Sequence, residues 1–207
     1  MNAYKTIAQN SQAELVVKKS KFIGRAIGVP DQAAAKLEIE ALRKQHWDAS
    51  HNCYAYAVEG SQGYSDDGEP HGTAGQPILE VINRKGLSNT LVIVTRYFGG
   101  VLLGAGGLIR AYTTAAATAI EEAGICNYAL CLKLKLSCDY ATWPKLQQWL
   151  KLQRINLLDA VYTETVDCFI AVEKGEYESF VSDCANALNA KADVEIIEEA
   201  FFRITGT

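Results

Sequence analysis

Thr90-Leu91-Val92-Ile93-Val94-Thr95-Arg96-Tyr97-Phe98-Gly99-Gly100-Val101-Leu102-Leu103-Gly104-Ala105-Gly106-Gly107-Leu108 is the stretch on which the fold turns. Residues 90–98 are nearly continuously apolar and rich in β-branched side chains, the pattern of a buried central strand. Gly99 and Gly100 break it. From roughly Gly104 to Ala123 an alanine- and leucine-rich run predicts the longest helix, with Gly124 just past its end as a C-cap. Eleven of the sixteen glycines fall between Gly60 and Gly107, so backbone freedom is concentrated there and regular structure is expected on either side.

Working outward towards the N-terminus, residues 59–75 read as a loop and 76–83 as a short helix. Residues 52–58 (NCYAYAV) read as a strand. Asp31 caps a helix running to about Gln45, with Ala34, Leu37, Ala41 and Leu42 at helical spacing. Residues 14–27 predict one or two strands. Towards the C-terminus the pattern is cleaner. Residues 130–137 (LCLKLKLS) alternate as a half-buried strand, 139–154 are helical, 155–164 and 166–173 are strands, 176–190 are helical, and 194–204 form a last strand. That order is β-α-β-β-α-β, the ferredoxin-like split motif. The expected class is therefore α+β in two domains, 1–128 and 129–207, without a Pro/Ser-rich linker between them.

Composition narrows the rest. At 207 residues, 49% hydrophobic and 21% charged, the chain can bury a real core without staples. It has no run of eighteen apolar residues, and its first residues lack the basic start and apolar core of a signal peptide, so a cytoplasmic protein with no membrane partner is expected. Cys53, Cys126, Cys131, Cys138, Cys168 and Cys184 form no CxxC pair and read as small buried apolar residues; neither a structural zinc site nor any cofactor is expected. Residues 1–132 carry 12 basic and 12 acidic side chains and residues 133–207 carry 8 and 12, so no broad basic field draws in nucleic acid. Any such contact has to come from a local patch.

Two segments offer that chemistry. In residues 65–75, Asp66, Asp67 and Glu69 place three carboxylates within four residues around Gly68, followed by Thr73. They suit first a turn in which aspartates bond their own backbone, then a ligand or partner surface, and last a cation site; the spacing is not that of an EF-hand. In residues 96–110, Gly99, Gly100, Gly104, Gly106 and Gly107 lead into a helix start, where free N–H groups and the helix dipole favour an anion. Arg96 and Arg110 could hold a phosphate bidentately and Tyr97 could stack on a base. The same glycines would equally serve close helix-on-strand packing, with Arg96 paired to Asp66, Asp67 or Glu69. There is no Walker lysine and no GxGxxG. Lys21 and His51, at a strand start, could join the same surface, although a solvated strand lysine and a structural histidine are the simpler readings of the two. No nucleophile elbow or hydrolase triad is present, so no catalytic residue is assigned. The second domain lacks the exposed-aromatic signature of an RNA-recognition module and reads as an appendage.

Four stretches together resemble the YigZ/IMPACT family: Ser20-Lys21-Phe22-Ile23, Ser50-His51-Asn52-Cys53-Tyr54-Ala55-Tyr56, Ser65-Asp66-Asp67-Gly68-Glu69-Pro70-His71-Gly72-Thr73-Ala74-Gly75, and the block from Val94 to Leu108. The resemblance implies that the first domain has the fold of the second domain of ribosomal protein S-five, and that the second resembles the last domain of elongation factor G. It also implies a translational regulator. The family's eukaryotic members bind the activator of an amino-acid-starvation kinase, and bacterial members are placed near RNA or ribosomes. The expected function is a non-enzymatic, stress-linked regulator whose first domain binds RNA, a translation-associated protein or a small phosphate anion. The alternatives are a magnesium-dependent, small-molecule-kinase-like enzyme and a pure protein adaptor.

Overall fold

The computed structural model describes residues 3–204, and the chain divides into two compact units, Tyr4–Asn127 and Tyr128–Ile204. The first unit begins with strand β1 (Ala3–Ile7). A hairpin of β2 (Ser11–Val17) and β3 (Ser20–Gly28) follows, closed by Lys18 and Lys19 at φ +45° and +65°. Two residues at positive φ match the right-handed twist of the flanking strands, which is why two-residue hairpins use such turns. Helix α1 (Gln32–Gln45) starts at Asp31, whose Oδ1 accepts the Ala34 N–H at 2.8 Å. Next come β4 (His51–Val58), β5 (Ser61–Ser65), α2 (Gly75–Arg84), β6 (Thr90–Tyr97) and α3 (Ala105–Ala123). The sheet runs β2-β3-β6-β4-β5 with every pairing antiparallel.

Strand β6 lies in the middle, and its two sets of side chains serve two cores. Val92 and Val94 pack with Phe22, Cys53 and Tyr112 beneath α2 and α3, whereas Leu91 and Ile93 pack with Ala35, Ile39 and Leu42 of α1 on the opposite face. Burial on both faces explains the missing alternation in the sequence. Helix α3 lies hard against β3, where a Cβ at Gly24 would collide with the Ala115 carbonyl. The small side chains of Ala111, Ala115 and Ala119 permit that approach.

In the second unit, β7 (Ile125–Cys138) is followed by α4 (Trp143–Leu152), β8 (Leu157–Tyr162), β9 (Val166–Glu173), α5 (Tyr177–Leu188) and β10 (Ala192–Ile204). Strand β7 pairs with both β9 and β10, and β9 pairs with β8, the ferredoxin-like arrangement, while β1 also pairs with β7. Leu132, Leu134, Leu136 and Cys138 of β7 face the helices, while Lys133 and Lys135 point the other way and pair with Glu198 at 3.2 Å and Glu195 at 2.9 Å. All six cysteines are buried, and burial pushes the Cys168 thiol up to about 12 and Cys184 up to about 11, so they act as inert packing groups. No helix among the described residues is long and apolar enough to cross a membrane.

Two strands depart from the sequence expectation. Strand β5 lies inside the segment expected to be loop, because a short, polar edge strand with a central glycine carries almost no period-2 signal. Strand β1 had no counterpart in that reading; it runs beside the start of β7, with the Ala8 N–H donating to the Gly124 carbonyl at 2.9 Å.

Candidate functional site

Antiparallel register sets Arg96 directly opposite Phe22 of β3 and His51 of β4, all on the face covered by α2 and α3. The Arg96 guanidinium lies 5.4 Å from the Phe22 ring centroid and 5.5 Å from that of Phe98. Its Nη1 donates to Glu69 Oε1 at 2.5 Å and its Nη2 to Ser20 Oγ at 3.4 Å, while its Nε–H is buried without an acceptor among the described residues. Glu69 Oε1 also accepts the Tyr112 hydroxyl at 2.8 Å, and His51 Nε2 stands 3.9 Å away. The Cys53 thiol reaches Tyr112 at 3.4 Å, and burial drives both Cys53 and Tyr112 far above their ordinary ionisation ranges. Arg96 is 5% exposed and Glu69 8%. This corrects the sequence expectation for Arg96. The arginine is no open phosphate clamp; it ties the 65–75 loop to β6.

The other carboxylates are also engaged. Asp66 accepts the N–H groups of Gly72 at 2.8 Å, Ala74 at 3.1 Å and Gly75 at 2.8 Å, so it caps α2 from several residues upstream. Burial works to raise its pKa, but these donors outweigh burial and hold the carboxyl below its usual range. Asp67 accepts from Arg43 Nη2 at 2.5 Å and from the Asn52 N–H at 2.7 Å, and its own carbonyl takes His51 Nδ1 at 2.9 Å. Thr73 is buried with its hydroxyl donating to the Pro70 carbonyl at 2.6 Å. Among the described residues no group of three or more His, Cys, Asp or Glu side chains is placed to hold a metal ion. The carboxylates that a kinase-like reading would assign to magnesium are spent on N–H donors, Arg43, Arg96 and Tyr112.

Tyr97 is a second correction. One residue further along β6, it faces the α1 side, so it cannot share a ligand surface with Arg96. There it joins a chain missed from sequence. Arg25 Nη2 donates to His46 Nε2 at 2.8 Å, which leaves the proton on Nδ1 to meet the Tyr97 oxygen at 2.9 Å; the Tyr97 hydroxyl then donates to Asp48 at 3.2 Å. Burial first, then the Arg25 charge, holds His46 below the usual histidine range. Burial and the bond to Asp48 hold the Tyr97 phenol above its own. His46 ends a helix, and only the tertiary pairing of α1 with β3 and β6 reveals its partners.

The glycine turn itself is open. A Cβ at Gly99 would overlap the Lys19 carbonyl, so this glycine lets the β2–β3 hairpin lie directly on the turn, and the Gly99 N–H donates to Ser20 Oγ at 3.1 Å. Gly100 and Gly104 have φ of +80° and +72°. The first helical bond of α3 runs from the Leu108 N–H to Gly104, so the N–H groups of Ala105, Gly106 and Gly107 have no intrahelical acceptor. Around them Phe98, Val101 and Leu102 are exposed, Leu102 by 83%. Lys18, Lys19 and Arg110 are exposed and belong to no ion pair among the described residues. Lys21, by contrast, is paired with Glu14 at 2.6 Å. Lys18 and Lys19 went unrecognised as site residues because nothing local in the sequence ties a hairpin tip to a turn some eighty residues later.

Two helices on one face, one on the other, an internal Arg–Glu pair and a glycine turn docked on a hairpin define the N-terminal unit. Residues 18–120 match the Impact N-terminal domain, and residues 136–191 match a domain of unknown function, DUF1949. The chain is 36% identical to the IMPACT family member YvyE of Bacillus subtilis, over 94% of this chain and 91% of that protein. It is 31% identical to the IMPACT family member YigZ of Escherichia coli, over 88% and 92%. A eukaryotic relative, the Protein IMPACT homolog of Dictyostelium discoideum, is 35% identical over 42% of this chain and 27% of its own. A solved structure titled "Crystal structure of an hypothetical protein" is similar with a TM-score of 0.61 at 29% identity, covering 96% of this chain and 98% of that one. The chain belongs to the IMPACT family.

Proposed function

We propose that this protein is a non-enzymatic binding protein of the translation apparatus that grips RNA phosphates with the exposed turn at residues 98–107 and the hairpin docked on it. The observation that carries the reading is the contact at Gly99. It sets the backbone of Lys19 on the turn that leads into α3, so the hairpin tip with its two unpaired lysines and a helix start whose first N–H groups have no intrahelical acceptor belong to one connected surface segment, in an otherwise charge-balanced unit. Free N–H groups at a helix start and nearby cations favour phosphate, and exposed Phe98 adds a face for a base. The relation to eukaryotic translational regulators, implied by the family resemblance, points the same way.

Fluorescence anisotropy with a labelled single-stranded RNA tests it. The variant Lys18→Asn/Lys19→Gly removes both charges while installing the pair that such a turn prefers, so affinity should fall about tenfold with the fold intact. Equal affinity would contradict the reading. Exposed Val101 and Leu102 support a protein partner as the second reading. One protein recovered from lysate regardless of RNase, and lost when Leu102 becomes Asp, would favour it.

A further inference from the structure

A separate feature lies in the C-terminal unit and does not depend on the reading above. Helix α4 presents Trp143, Gln147, Leu150, Lys151 and, just past its end, Arg154; spacings of three and four put these on one side of the helix. As the chain turns back through Asn156 and Leu157 into β8, it borders a half-open cavity of about 260 Å³ along this side. Its lining is divided by chemistry. Trp143, held edge-on by Tyr162 at 6.1 Å, forms the apolar part together with Leu150 and Leu157. Lys151 and Arg154 supply two cations, Gln147 and Asn156 supply amides, and no carboxylate lines the cavity.

The unit around this cavity is acidic on balance. Residues 133–207 carry 8 basic against 12 acidic side chains, and Lys133, Lys135 and Lys174 of this unit are each paired with a glutamate. Lys151 and Arg154, like Lys145, Lys191 and Arg203, enter no ion pair among the described residues, but these two line one cavity together. Arg154 also occupies a position that favours glycine. Its φ is +59°, and the Ile155 N–H reaches back to the Leu150 carbonyl at 3.0 Å, as in a Schellman helix end. The helix dipole rewards a cation near this end but does not require one in a left-handed conformation beside an aromatic wall.

We propose that this cavity is a binding site for a small organic anion, with a carboxylate or phosphate head on a ring-sized apolar body. The head meets Lys151 and the Arg154 fork, and the body lies against Trp143, Leu150 and Leu157. The volume falls just below that of sites for drug-sized ligands and suits a single substituted ring.

The test is a ¹H–¹⁵N NMR titration of the full chain with phenyl phosphate and benzoate as probes, and inorganic phosphate and benzyl alcohol as controls. The site predicts saturable shifts at the Trp143 indole and at the amides of Gln147, Lys151 and Asn156, with Kd on the order of 0.1–1 mM for the better probe. Each control, lacking the ring or the charge, should bind at least about tenfold more weakly. Which of the two probes binds better identifies the head group. Arg154→Gly suits the backbone, so it should keep or raise the Tm while weakening the probe about tenfold; Lys151→Gln should weaken it in parallel. Inorganic phosphate binding as well as phenyl phosphate, shifts scattered over other lysines without saturation, or Arg154→Gly leaving the titration unchanged would each overturn the proposal.

Discussion

Arg96 and Lys19 both lie within reach of the Gly99 turn, yet one is sealed inside the N-terminal unit and the other stands in solvent. Arg96 belongs to the set of β6 side chains that faces α2 and α3, so its charge meets Glu69, Ser20 and two aromatic rings. Lys19 sits at a hairpin tip, where only its backbone is needed for contact with the turn. A cation beside a glycine-rich loop is therefore no indication of accessibility; strand parity decides it. The buried pair holds the loop and the strand together, and the turn stays open to solvent.

The largest expected effect comes from splitting the buried pair. Glu69→Ala leaves the Arg96 charge buried without its carboxylate and should cost about 3–5 kcal/mol in urea unfolding. Glu69→Leu/Arg96→Met, which removes both charges, should be less damaging than either single change. If Glu69→Ala unfolded like the wild type, the pair would not be what ties the loop to the strand. Gly99→Ala comes next. Its Cβ would drive the hairpin off the turn, for about 1–3 kcal/mol as an overpacking change, and RNA affinity should fall along with stability.

Acidification separates two further layers. His46 is held below its usual range in the folded state, so its contribution is complete above about pH 6.5 and is lost as pH falls through the lower folded value. Asp66 is likewise depressed. Its contribution is complete above about pH 3.9 and disappears below that as the carboxyl is protonated and the α2 cap is released. Thermal melts against pH should show both declines. His46→Gln should remove the first, and Asp66→Ala should remove the second at a cost of about 1 kcal/mol near neutrality. Melts of Asp66→Ala that kept the wild-type acid limb would assign that limb to other groups. The smallest stability effect belongs to the hairpin tip, where Lys18→Asn/Lys19→Gly should move unfolding by no more than about 0.5 kcal/mol.

Much of this fold is legible in the sequence. The apolar run at 90–97, the Asp31 cap, the Gly124 stop and the β-α-β-β-α-β order of the second half are local signals, and local physics produces them. The candidate site was legible only in part. Pairing of Arg96 with one of three nearby carboxylates was foreseeable; that Glu69 is the partner depends on how Asp66 and Asp67 are consumed by α2, Arg43 and Asn52. Parity along β6 already separates Arg96 from Tyr97, but a strand buried on both faces hides its alternation. Lys19 against Gly99, and His46 between Arg25 and Tyr97, are tertiary contacts without a local trace.

The most direct test of the division between a structural interior and a binding exterior is the salt dependence of RNA affinity. Plotted as log Kobs against log salt, Lys18→Asn/Lys19→Gly should have a slope shallower by about 1.4 than the wild type, the value for losing two single-strand phosphate contacts. An unchanged slope in a folded variant would place the phosphate contacts elsewhere and contradict the account.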